Sequence, residues 1–143
     1  MNIQMHFDKE KIAKIAQKHK LLFVILFGSK ARGEKPNIET DIDLAVLTNR
    51  TPGNKLFGNL FSEFSDIFRG ENVDVRFLND SDLLFRNGVV RDGILLYGDE
   101  GNYLNFKLLT IKQYVDDGKK YFPMLDRLVI KQQEYLERSI YAR

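Results

Sequence analysis

The sequence predicts an α+β domain: a small sheet flanked by helices and followed by a helical tail. Three observations lead there. Short apolar or alternating runs of strand length recur at 21–27, 42–46, 72–78 and 94–97. Segments of helical spacing lie before and between them, and from 102 onward helical spacing stands alone. With 143 residues and no linker or repeat, the chain reads as one domain, too short to add a separate domain that would hold an acceptor.

Each element has its own justification. Asp8 suits an N-cap, and Ile12, Ile15 and Ala16 share one face of a helix running to about Lys20. Residues 21–27 form a continuous apolar run ending at Gly28, the pattern of a strand buried on both faces. Ile42, Leu44 and Val46 alternate with Asp41, Asp43 and Ala45, which predicts a second strand. After the turn residues Thr51-Pro52-Gly53, apolar positions from Leu56 to Phe68 recur at helical spacing, with Gly70 placed to end that helix. The phenylalanine stripe Phe57–Phe68 is read as core packing, not as a platform for nucleic-acid bases. A third strand follows at 72–78, a short helix from Ser81 to Arg86 stopping near Asn87-Gly88, and a last strand at 94–97 closed by Gly98. Two helices broken near Gly118 complete the chain.

Composition narrows the chemistry. The chain has no cysteine, which excludes disulfides, thiolate metal sites and cysteine nucleophiles. It shows no signal-peptide pattern and no apolar run of membrane-spanning length, so a cytoplasmic location is expected. The net charge of +2 is too small for a dedicated nucleic-acid binder. It is unevenly spread: residues 1–20 hold five lysines against two acids, 103–143 eight basic residues against five acids, and the middle nine against thirteen. An acidic centre thus lies between two basic ends. The histidines, His6 and His19, fall in or before the first helix and are expected on the surface.

The informative region runs from Phe27 to Leu47. Asp41 and Asp43 are two apart on a strand and therefore project from one face, while Ile42 and Leu44 face the other way. Aspartates are disfavoured in strands, and two close carboxylates repel each other; a divalent cation removes that repulsion. Hard oxygen ligands without thiolates point to Mg²⁺ or Mn²⁺. Asp74 stands in a third strand pattern, with Val73, Val75 and Phe77 on the opposite face. The Gly28-Ser29 pair directly follows a buried strand, where glycine lets a phosphate approach the backbone and serine offers a hydroxyl and an N–H. A phosphate cradle with three carboxylates is equipment for metal-assisted phosphoryl or nucleotidyl transfer. Gly28 and Gly33 imitate the start of a P-loop, but Glu34 and Lys35 then stand where lysine and a hydroxyl residue belong. An EF-hand fails as well, for want of its glycine and terminal glutamate.

At Gly28, Ser29, Asp41, Asp43 and Asp74 the sequence resembles the polymerase-β-like nucleotidyltransferase superfamily. The fuller string through Ala31, Arg32, Gly33, Ile42 and Leu44 is similar to its minimal nucleotidyltransferase (MNT) branch. The resemblance implies the fold of that superfamily, a small mixed sheet flanked by helices. It implies a catalytic core over 1–102 and a helical extension over 103–143 in the same domain, a candidate element for binding a partner. It further implies transfer of AMP from ATP to a tyrosine hydroxyl of a HEPN-domain ribonuclease toxin, with this chain as antitoxin in a hetero-oligomer. Asp41, Asp43 and Asp74 would be catalytic and hold two Mg²⁺ ions; Gly28, Ser29 and Arg32 would bind the nucleotide. Two positions depart from the branch: Thr40 precedes the first aspartate where serine is usual, and Arg76 shares the face of Asp74 where an apolar residue is usual. Transfer to a small hydroxylated acceptor such as an aminoglycoside, and neutralisation by occlusion alone, are the alternatives. The toxin's own ribonuclease motif needs a histidine after an arginine, and both histidines here precede Arg32, the first arginine.

Overall fold

The computed structural model describes residues 8–28, 30–33 and 41–141, with side chains in the last helix described to 118 and at 127 and 130–138. The elements are α1 (Lys9–Lys18), β1 (Leu21–Phe27), β2 (Ile42–Thr48), α2 (Asn54–Ile67), β3 (Val73–Phe77), α3 (Leu83–Asp92), β4 (Ile94–Tyr97) and α4 (Glu100–Tyr141). The strands form one mixed sheet in the order β3-β2-β1-β4. β1 is antiparallel to both neighbours, β2 and β4, whereas β2 and β3 run parallel and are joined through α2. Register between β2 and β3 is fixed at both ends: Ile42 N donates to Asn72 O at 2.7 Å, and Leu78 N to Val46 O at 2.8 Å.

The sheet separates two apolar layers. On one face Val24, Leu26, Leu44 and Val46 pack with Ile12 and Ala16 of α1 and Leu60 and Phe64 of α2. On the other, Phe23, Ile25 and Ala45 meet Val89 of α3 and Tyr103 and Phe106 of α4. Because β1 is covered on both faces, it reads as an unbroken apolar run rather than an alternation. Asp8, Asp82 and Asp99 cap α1, α3 and the start of α4 by accepting from backbone N–H groups three residues on.

Three expectations need correction. α3 does not stop at Asn87-Gly88 but runs to Asp92, because Val89 packs against the sheet and Val90 is buried, and that burial outweighs the glycine. The tail is one helix of 42 residues, not two. Gly118 and Pro123 lower local helix stability, by about 1 and 3 kcal/mol respectively, without ending it. The phenylalanine stripe is core only in part: Leu60, Phe64 and Phe68 are buried, while Phe57 and Phe61 are exposed and stack on each other with ring centroids 6.3 Å apart.

Candidate active site

The candidate site is built where β1 ends and β2 and β3 begin. After Phe27 the chain turns at Gly28, which has φ +79°. Arg32 N then donates to Gly28 O at 3.2 Å and Gly33 N to Lys30 O at 3.3 Å, closing a short helical turn. Gly28 is required twice over. Its positive φ disfavours any residue with a Cβ, and a Cβ there would overlap the Oδ2 of Asp43. The turn is tethered by Lys30, whose Nζ lies 3.9 Å from the carboxylate of Glu71 just before β3.

Asp43 is the hub. It pairs in register with Phe27 on β1 and with Asp74 on β3, and neighbouring strands lie only about 4.8 Å apart. Its strand neighbours Ile42 and Leu44 are buried in the opposite layer, so the alternation turns Asp43 to the face shared with Asp74 and Arg76. Asp41 is exposed, two residues earlier, just ahead of β2. Burial raises the pKa of Asp43 above the ordinary carboxylate range, and the nearby charges of Asp74 and Asp41 add to that; the guanidiniums of Arg76 and Arg32 pull the other way. Asp43 therefore stands within reach of the negative charge of both other carboxylates.

Arg76 answers part of that repulsion. Its Nε lies 3.6 Å from Asp74 Oδ2, and its guanidinium sits 5.3 Å from the ring centre of Phe85 on α3. Phe85 in turn meets Phe27 edge-on at 5.6 Å. A continuous line of contacts therefore runs from Asp74 through Arg76 and Phe85 back to the strand that delivers Gly28.

The donor set fits a hard divalent cation in type: carboxylate oxygens only, on one face, already repelling one another. Among the described residues, however, no three such side chains converge closely enough to hold a metal ion as they stand. The structure thus brings together Gly28, Arg32, Asp43 and Asp74 with Asp41 at their edge; Ser29 and Thr40 lie outside the described residues. Sequence reasoning did not find Phe85 and the α3 wall. Their only local signal is Asp82, the cap three residues ahead that aims Phe85's turn of helix. His19 differs from expectation too: its side chain is nearly buried and bonded to Glu63 of α2, a structural tie far from the aspartates.

The fold has known counterparts. Residues 10–102 match the family described as polymerase beta, nucleotidyltransferase, and the chain belongs to that family. A search of curated proteins gives no match. Among solved structures the chain is similar to one from a toxin–antitoxin complex with AMP-PNP, at 26% identity and TM-score 0.72, covering 85% of this chain and 98% of that one. It is similar to another in the complex of tri-AMPylated Shewanella oneidensis HEPN toxin with MNT antitoxin, at 25% identity and TM-score 0.66, covering 85% and 95%. A third, from a mutant form of the MntA-HpeT toxin–antitoxin complex, has 25% identity and TM-score 0.67, with 85% and 98% covered. No helix among the described residues is long and apolar enough to cross a membrane.

Proposed function

We propose that this nucleotidyltransferase is the antitoxin of a toxin–antitoxin pair and transfers AMP from ATP to a tyrosine hydroxyl of its HEPN-type toxin partner. The observation that carries the reading is the in-register pairing of Asp43 with Asp74 directly against Gly28. The similar complexes with AMP-PNP and with a tri-AMPylated toxin support the nucleotide and the acceptor class.

The residues divide the work by position. The turn from Gly28 to Arg32, with Ser29 within it, binds the β and γ phosphates through backbone N–H groups and the guanidinium. Asp41, Asp43 and Asp74 would hold Mg²⁺, two ions in all, which when bound supplies charge neutralisation for the phosphates and the leaving pyrophosphate. Asp74, steadied by Arg76, accepts the proton of the incoming hydroxyl. That oxygen attacks the α-phosphorus, the bond to the bridging β-phosphate oxygen breaks, and pyrophosphate leaves with the electron pair. Residues 103–143 serve as the partner-binding extension of a hetero-oligomer, and dependence on ATP suits the cytoplasm.

The test is co-expression with the neighbouring gene product, followed by intact-mass measurement of that partner. AMP-sized increments are expected, and Asp43→Asn should cut them about 100-fold or more. Undiminished transfer by Asp43→Asn would overturn the assignment. A tight complex without any mass change would point instead to occlusion.

A further inference from the structure

A cleft of about 420 Å³ lies at the end of the sheet remote from the aspartates. It is lined from the turn between α1 and β1, the end of β2 and the start of α2, by Lys18, Lys20, Thr48, Arg50, Lys55 and Asn59 among others. Thr48 ends β2 and Asp43 stands five residues earlier, so the cleft is about 17 Å along the strand from the candidate site. Four of the lining side chains are cationic, and among the described residues no acid lines the cleft. The net charge of +2 therefore conceals a local concentration of one sign.

The cations stand there against local preference. Lys20 takes φ +56°, the left-handed region where glycine sits without strain and a lysine does not. Lys55 lies in the first turn of α2, which holds no acid, and a positive charge there opposes the helix dipole. Lys20, Arg50 and Lys55 are exposed and make no ion pair among the described residues, while Lys18 shares Glu63 with His19. Like charges gathered round one concavity repel, and a polyanion laid among them removes that repulsion. An adjoining depression of about 260 Å³ shares Thr48, Arg50 and Thr51 with the cleft and adds Asp80, which bounds the basic stretch on that side.

We propose that this cleft binds the phosphodiester backbone of a single-stranded nucleic acid, RNA or DNA. Its volume is that of a small-molecule pocket, with room for a strand and not for a duplex. Its cations are exposed at the rim of an open cleft, which suits a polymer passing through more than one enclosed phosphate. Thr51 and Asn59 add donors for phosphate or sugar oxygens. No aromatic residue lines the cleft, so bases have nothing to stack on and the site reads charge, not sequence. Leu56 is the one apolar side chain in the lining, too little to seat the apolar residues of an acidic peptide. The inference stands apart from the proposed AMP transfer, which uses the other end of the sheet.

The test is fluorescence anisotropy of short labelled RNA and DNA strands titrated with the full chain. AMP-PNP and Mg²⁺ are kept in excess, so that the Gly28–Arg32 turn is not the site being read. Binding should weaken with salt at a log–log slope of about −2 to −3, three or four phosphates at about 0.7 each. The double variant Lys20→Gly/Lys55→Glu relieves both local conflicts and should melt no lower than wild type. It should nevertheless bind about tenfold more weakly or worse, with a slope shallower by about 1 or more. Equal binding of RNA and DNA would assign the backbone alone, and tighter RNA would add contacts to the 2′-hydroxyl; both support the site. A double variant with wild-type affinity, or a wild-type chain that binds neither strand, overturns it. So does a poly-glutamate peptide that binds more tightly than either strand, which would make the cleft a surface for protein. Inorganic tripolyphosphate bound where the strands are not would overturn it in favour of small polyphosphates. None of these readouts draws on AMP transfer, so the two readings stand or fall separately.

Discussion

At Gly28 two demands meet on one atom. The left-handed backbone alone would cost a substituted residue about 1–2 kcal/mol, and the carboxylate of Asp43 fills the place a side chain would take. Gly28→Ala is therefore expected to lower stability modestly while pushing Asp43 out of line with Asp74. AMP transfer should fall about 100-fold, more than the loss of stability explains; a variant that melts a few degrees lower but transfers AMP at the normal rate would contradict this coupling. At this scale much was legible in the sequence. Alternation around Ile42 and Leu44 placed Asp41 and Asp43 on one face, and the same arithmetic placed Asp74 and Arg76. The partner of Arg76 beyond Asp74 was not legible, because Phe85 arrives from a helix nine residues later whose docking angle no local pattern encodes.

Among the elements, α1 and α2 are joined by a clamp. Glu63 accepts from Lys18 Nζ and His19 Nε2, two residues at the C-terminal end of α1, where positive charge also suits the helix dipole. Burial alone would raise the pKa of Glu63, but the hydrogen bonds and charges of Lys18 and His19 outweigh it and hold the carboxyl below its usual range. A lowered folded pKa means the contribution is present above the unfolded value and is lost as the pH falls through the folded one. Glu63→Gln should therefore lower the melting temperature at neutral pH, by an amount corresponding to about 0.5–1 kcal/mol. The difference from wild type should shrink below about pH 4. Paired thermal melts across that range check it; a constant difference would show that the clamp acts through packing instead of charge. Capping aspartates and strand alternation made most element starts readable. The ends were harder: α3 continues past Gly88 because Val89 finds the sheet and Val90 is buried, a tertiary gain invisible to local propensity. For the same reason helical spacing identified the apolar stripe of α2 but not which phenylalanines turn outward.

For the molecule as a whole, the asymmetry lies in α4. A helix of 42 residues extends about 63 Å at 1.5 Å per residue, far more than its anchor requires. Among the described side chains that anchor is local: Tyr103 and Phe106 meet Phe23 at 5.5 and 5.7 Å, and Thr110 is buried. Removing 121–143 should leave the melting temperature within about 3 °C of wild type, since the side chains described there, at 127 and 130–138, are all exposed. The same truncation should abolish co-purification with the toxin partner. A truncated chain that still forms a full-affinity complex would move the interface to the rest of the chain. The sequence made this extension visible as helical spacing with a basic excess, but not its continuity, since Gly118 reads locally as a break.

The pairing of β2 with β3 has a consequence for folding. Between parallel strands a slip of one residue turns every side chain of β3 to the other face. Such a molecule would bury Asp74 among the layer of Val24 and Leu44 and expose Val73 and Val75 in its place. The alignment that lets two carboxylates stand side by side is thus the same one that keeps the core dry. A misaligned chain would be penalised as a folding product before it could persist as an inactive enzyme. The placing of the carboxylates is in this sense proofread by hydrophobicity, with the tie between Ile42 and Asn72 acting as the zero mark of the ruler.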